Sequence, residues 1–245
     1  MLQEFQLTGK NILVTGASSG LGRQTAIQAS KDEAKLIITG RNLSRLQETF
    51  RQLEGDNHLM IPADLTHEDE LNHLVDAVPP LNGVIFSTGV SILKPVRFLE
   101  SADIAENFSI GFNAPVLLTS RLLAKKKLVS GNCSLVFISS ISIKYPFVGG
   151  SMYVSVKAAL EGFARVLALE LAPKGIRVNC VAPAFVKGPM LEQTQEATSE
   201  ETIQQIKARQ PLGLGDPVDV ANAIIFFLSD ASRWITATSL ILGGG

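Results

Sequence analysis

The chain has 245 residues, 46% of them hydrophobic, and a formal net charge of -1. That composition supports a substantial core and excludes disorder, and the balanced charge gives no case for nucleic acid or an anionic membrane as partner. Two cysteines, Cys133 and Cys180, are too few for a disulfide framework, and His58, His67 and His73 lack zinc-ligand spacing, so neither disulfides nor a metal is expected. No apolar run reaches about 18 residues, and the first ten residues carry no apolar signal region. These features predict a cytoplasmic protein with no membrane span. Lys125-Lys126-Lys127 reads as a helix C-terminus that complements the dipole.

In chain order, strands are predicted over 11–15, 34–39, 58–61, 83–87, 134–139, 177–181 and 239–242. These runs are rich in Val, Ile and Leu without clean alternation, the pattern of strands buried on both faces. Helical patterns lie between them at 20–31, 43–53, 68–77, 102–126, 151–172, 191–207 and 218–228. The last but one, polar at its start, suits a surface helix or a lid. The alternation predicts an α/β chain: a doubly wound Rossmann fold with a mostly parallel sheet of about seven strands, in a single domain over 1–245.

The first strand runs into Thr15-Gly16-x-x-x-Gly20-x-Gly22, which opens a helix. Glycines permit the tight turn and a close backbone approach to a pyrophosphate, and the helix N-terminus faces it with partial positive charge. Gly16, Ser18, Ser19, Gly20, Leu21 and Gly22 are the candidate cradle. Arg23 and Gln24 follow where a P-loop needs Lys, which excludes that reading. The second strand ends in Gly40-Arg41-Asn42, without the carboxylate that an NAD site uses to hold the ribose 2′-hydroxyl. Arg41 suits a 2′-phosphate instead, so NADP (NADPH) is expected, with NAD second. Asp64 and Leu65, after the third strand, are placed near the adenine, with Asp64 equally readable as a turn residue leading to the next helix. Thr66 with Asp69 reads as a capping box for the helix that follows. Gly89, after the fourth strand, lets the backbone pass close to a cofactor.

Ser140 precedes Tyr153-Val154-Ser155-Val156-Lys157 by thirteen residues. A Tyr four residues before a Lys shares its helix face. At about 6 Å and an effective dielectric of about 20 the attraction is about 2.8 kcal/mol, which predicts a Tyr153 pKa lowered by about 2 units. That would bring a phenol within reach of general acid–base work near neutral pH.

Taken together and in order, Thr15 to Gly22, Asp64, Gly89, Ser140, Tyr153 with Lys157, Asn179, Pro183 and Ile235-Thr236 resemble the short-chain dehydrogenase/reductase family over essentially the whole chain. The resemblance implies Tyr153 as proton donor or acceptor. It implies Ser140 as the hydroxyl that orients a substrate carbonyl, and Lys157 as the group that binds the nicotinamide ribose and lowers the Tyr pKa. Tyr153, Lys157 and Pro183 join the cofactor set, and Ser142 is a loop residue lining the pocket. Several positions depart from the family pattern. Phe86-Ser87-Thr88-Gly89 replaces Asn-Asn-Ala-Gly, Pro183-Ala184 replaces Pro-Gly, Gly188 stands for a Thr, and Gly243 for an Asp. Gly111 stands where the family has an Asn that helps hold a relay water, so Gly111→Asn is expected to raise turnover. The implied activity is NADP-dependent oxidation or reduction at a carbonyl or alcohol, with a 3-oxoacyl thioester among the substrate classes. The alternative is a regulatory or scaffold protein of the same fold without turnover. A homodimer or homotetramer is expected, from the family and from two long helices apolar around much of their circumference.

Overall fold

The computed structural model describes residues 3–196, 204, 208 and 210–244. Seven strands form one parallel sheet in the order β3-β2-β1-β4-β5-β6-β7: β1 Asn11–Val14, β2 Lys35–Ile38, β3 Leu59–Met60, β4 Gly83–Phe86, β5 Cys133–Ile138, β6 Ile176–Pro183 and β7 Ser239–Leu242. The order reverses between β1 and β4, the switch point at which a doubly wound sheet opens a crevice beyond its strand ends. Successive residues of each strand feed opposite layers. Leu13, Val84, Leu135 and Phe137 join the layer under α3 (Glu68–Ala77), α5 (Ala114–Ala124) and α6 (Ser151–Leu171). Ile12, Val14, Ile85 and Val136 join the layer under α1 (Gly20–Lys31), α2 (Leu43–Phe50) and the last helix, α8 (Pro217–Leu228). Burial on both faces is why no polar alternation marks these strands.

The helix expected over 102–126 is not one regular helix. α4 (Ser101–Phe108) passes through a π turn at Ser109–Asn113 before α5 begins. The Ala114 N–H donates to Ser109 O, five residues back. Pro115, at the start of α5, explains the change: it has no N–H to donate, and its ring would strike the carbonyl of residue 111 in a straight helix. β6 runs longer than its apolar core, to Pro183, and β3 is only two residues. The helix expected at 191–207 is present as α7, Pro189–Glu196, and its remainder falls mostly outside the described residues.

Candidate active site

The glycine turn sits between β1 and α1 with two positive-φ residues, Gly16 at +64° and Gly20 at +54°. A Cβ on Gly16 would lie 2.8 Å from Ser87 O, and one on Gly22 would lie 2.4 Å from Gly16 O, so both positions need glycine for packing alone. A Cβ on Gly20 would meet nothing within 4 Å. Ser19 precedes α1 in extended conformation and gives no side-chain cap, which leaves the first N–H groups of the helix for an anion. Thr39 Oγ1 at the end of β2 and Thr88 Oγ1 at the end of β4 are buried without a partner. Backbone donors, an open side and orphaned hydroxyls along one crevice fit a dinucleotide. Arg23 holds this turn in place: it donates to Ser18 O at 2.7 Å and to Thr49 Oγ1 at 3.0 Å, and its Nη2 lies 3.3 Å from Glu48. Arg23 directly follows the glycine motif, and nothing in that motif marks this role.

At the end of β2, a Cβ on Gly40 would approach Ser18 Oγ to 3.2 Å. Asn42 caps α2 by accepting from Arg45 N at 3.0 Å and Ser44 Oγ at 2.9 Å. Arg41 remains half-exposed, with Nη1 3.8 Å from Asp64 Oδ2. Burial pushes the Asp64 carboxyl up, but two bonds from Thr66 and the Arg41 guanidinium more than offset this and hold it below the usual carboxylate range. Because Thr66 spends its hydroxyl on Asp64, the expected capping box does not form. His67 stands at the N-cap without a side-chain bond to the helix backbone; its Nδ1 instead lies 3.1 Å from Glu70 Oε1, and the other Glu70 oxygen accepts from Asp64 N. Leu65 is 7% exposed and packs into the core, which leaves its backbone for any cofactor contact.

Gly89, Ser140, Tyr153 and Lys157 come together where β4 and β5 end. Ser140 opens a short 3-10 turn, Ile141–Ile143, and its Oγ accepts from Ser142 N at 3.2 Å and Ser142 Oγ at 2.8 Å. Ser142 is buried like Ser140, and its hydroxyl is spent on Ser140. Lys157, 6% exposed, donates to Ile138 O at 2.7 Å, and its Nζ lies 5.8 Å from the Tyr153 ring centroid. The same Nζ is 3.5 Å from where a Cβ on Gly89 would stand. The Tyr153 pKa differs from expectation. Desolvation pushes it up and contact with the Ser140 hydroxyl lowers it, with a net rise. Burial likewise pulls Lys157 down to about 8, which leaves it mostly protonated at pH 7. The expected Tyr153 shift neglected desolvation of both groups.

Gly111 faces α6 so closely that a Cβ there would lie 2.5 Å from Val156 Cγ1. An Asn at this place does not fit as the chain stands, so the expected gain from Gly111→Asn lacks room. Asn179 is structural: its Nδ2 donates to Ile235 O and its Oδ1 accepts from Thr238 N, tying β6 to the segment before β7. Pro183 ends β6, and Ala184 N donates to Leu242 O at 2.8 Å. Exposed apolar side chains stand on two loops, one after Gly89 and one between Ser140 and Tyr153: Val96 and Phe98, then Tyr145, Phe147 and Val148. The loops are joined by Lys94 N donating to Gly149 O at 2.8 Å. Among the described residues no group of three or more His, Cys, Asp or Glu forms a metal site, and no helix is long and apolar enough to cross a membrane.

The sequence model of the short chain dehydrogenase family matches residues 10–199. A 3-oxoacyl-[acyl-carrier-protein] reductase, FabG, of Rickettsia felis is 32% identical over 98% of both chains. D-erythrulose reductase of Gallus gallus is 30% identical over 100% of this chain and 98% of its own length. A solved actinorhodin polyketide ketoreductase variant with NADPH superposes with a TM-score of 0.88 at 26% identity, covering 96% of each chain. A 7α-hydroxysteroid dehydrogenase with NADH, at 24% identity and a TM-score of 0.89, shares the fold. The chain belongs to the short chain dehydrogenase family, oxidoreductases acting on CH–OH and C=O groups.

Proposed function

We propose that this protein is an NADPH-dependent reductase of carbonyl groups carried on apolar substrates, with a 3-oxoacyl thioester as the substrate class. The observation that carries the reading is the convergence of Ser140, Tyr153 and Lys157 beside Gly89, at the strand ends that adjoin the glycine cradle. When bound, the nicotinamide supplies the hydride. Ser140, its hydroxyl oriented by Ser142, donates a hydrogen bond to the carbonyl oxygen, and Tyr153 gives its proton to that oxygen as charge develops there. Phenol pKa values above the ordinary one suit a donor that must hold its proton until then. Lys157, braced on Ile138 O, keeps two further N–H donors for a ribose hydroxyl and for Tyr153. The exposed apolar residues Val96, Phe98, Phe147 and Val148, on the loops that follow Gly89 and Ser140, favour an acyl chain over a polyol. The Rickettsia felis relative's name supports the same substrate class.

Arg41 supports NADPH over NADH, because the β2 end carries no carboxylate to oppose a 2′-phosphate and the exposed guanidinium is held by Asp64 only at 3.8 Å. Exposed faces on α6 and β7 support a homodimer or homotetramer, and two free buried cysteines suit a reducing, cytoplasmic setting. Titration with NADPH and NADH, followed by a panel of 3-oxoacyl thioesters and simple ketones, tests the reading. Tighter NADPH binding, reversed by Arg41→Asp, and NADPH consumption with the thioesters are expected. Equal affinity for both cofactors, unchanged by Arg41→Asp, sinks the cofactor assignment. Tight binding without any turnover favours a non-catalytic role.

A further inference from the structure

Glu161 is a buried carboxylate to which the chemistry above gives no task. It lies on α6 one turn beyond Lys157, so Tyr153, Lys157 and Glu161 share one helix face at intervals of four. Its side chain is 10% exposed. Oε1 accepts from Ser139 Oγ at 2.7 Å and from Ser239 Oγ at 2.6 Å, and Oε2 lies 3.3 Å from Arg165 Nη2. A buried anion persists only where its oxygens are satisfied, and hydroxyl bonds to a charged acceptor are stronger than neutral ones. Ser139 also donates its backbone N–H to Val181 O at 2.7 Å. Lys157, one turn earlier, donates to Ile138 O. Consecutive turns of α6 thus hold consecutive residues at the end of β5, Ile138 by its carbonyl and Ser139 by its hydroxyl. The next residue is Ser140. Ser239 opens β7, so the same oxygen also draws the edge strand to this seam. Arg165 and Lys157 are the cations nearest along the face. The Cys180 thiol also senses Glu161 and is pushed up to about 12, first by burial, so it stays neutral.

We propose that Glu161 is a positioning residue that sets the register of α6 against the end of β5, and so fixes Tyr153 and Lys157 relative to Ser140. The proposal rests on the assignment of those three residues to the reaction.

The chain has two tyrosines, Tyr145 and Tyr153, so Tyr145→Phe leaves one phenol whose ionisation is followed by ultraviolet absorbance without any substrate. In that background Glu161→Gln and Glu161→Leu remove the same charge, and only Gln keeps an oxygen for both serines. The Leu variant is expected to titrate about one pH unit away from the Gln variant. Its kcat on any carbonyl accepted by the parent is expected to fall about 100-fold, with Gln retaining most of the activity. Equal phenol midpoints and equal kcat in the two variants overturn the proposal. Should Glu161→Leu fail to fold, Ser139→Ala deletes a single bond. It is expected to lower kcat with KM unchanged, and Ser139→Thr to restore it. Unchanged kcat in Ser139→Ala overturns the proposal equally. The phenol titration needs no turnover, so failure of the reductase reading and failure of the Glu161 proposal give different results.

Discussion

Lys157 donates to the Ile138 carbonyl from an enclosed position, and burial carries its pKa from 10.5 down to about 8. A lysine whose folded value lies below its unfolded value costs stability when protonated. The cost is full below about pH 8 and disappears as pH rises toward about 10.5, where the unfolded chain also loses the proton. Lys157→Met is therefore expected to stabilise the protein at pH 7 by up to about 3 kcal/mol while abolishing turnover, with no gain left near pH 10.5. Urea unfolding of both forms at the two pH values checks this, and an equal gain at both would discard the desolvation argument. Tyr153→Phe keeps the ring and removes the proton. NADPH binding is expected to survive and turnover to fall about 10²- to 10⁴-fold, a general acid's usual contribution. Undiminished kcat would exclude the assigned role. The residues of this site were legible because their chemistry imposes a spacing: four residues for Tyr153 and Lys157, and a glycine where Gly16 and Gly22 meet backbone. Their electrostatics were not, because a Coulomb estimate from spacing takes no account of what encloses the groups. Glu161 and Arg23 were missed because buried partners from distant segments leave no local pattern.

At the scale of elements, the π turn at Ser109–Asn113 and the contact of Gly111 with Val156 are one feature. Pro115 forces the extra residue into the helix, and the bulge brings the Gly111 backbone against α6. Val156 is β-branched and 4% exposed, so it has little freedom to yield. Gly111→Asn alone is expected to cost about 1–3 kcal/mol, as overpacking does, without a gain in turnover. Adding Val156→Ala should recover part of that loss. A double-mutant cycle by thermal unfolding measures the coupling, and strictly additive losses would show that the two positions do not share the space. Hydrophobic periodicity located all seven strands: the five central ones are short apolar runs covered on both faces, and the edge strands β3 and β7 are apolar although partly exposed. The same periodicity merged α4 and α5, because a π turn shifts the apolar phase by only one residue and the helical pattern runs on through it. The capping box at Thr66 was misread because Asp64, two residues upstream, competes for the same hydroxyl.

At the scale of the molecule, α6 turns an apolar stripe outward. Ala158, Gly162, Val166 and Leu169 fall on one face, with Val166 56% and Leu169 73% exposed, and Gly162 leaves open space where a Cβ would stand. Leu117 on α5 is exposed as well. Small residues followed by large ones on an uncovered helix let a second helix approach closely, and a self-complementary patch closes under two-fold symmetry. β7 offers a second surface, since it is an edge strand with Leu240 and Ile241 partly exposed and no strand beyond it among the described residues. One such interface gives a dimer, and two distinct two-fold interfaces give a tetramer. The protein is expected to run as a dimer or tetramer at micromolar concentration by light scattering. Val166→Glu with Leu169→Lys should halve the mass while leaving the fold intact by circular dichroism. If the product is a monomer, α6 supplies the interface of a native dimer; if it is a dimer, β7 supplies the remaining interface of a native tetramer. A parent that is monomeric, or a double variant of unchanged mass, would show that the stripe on α6 faces water and not a second copy.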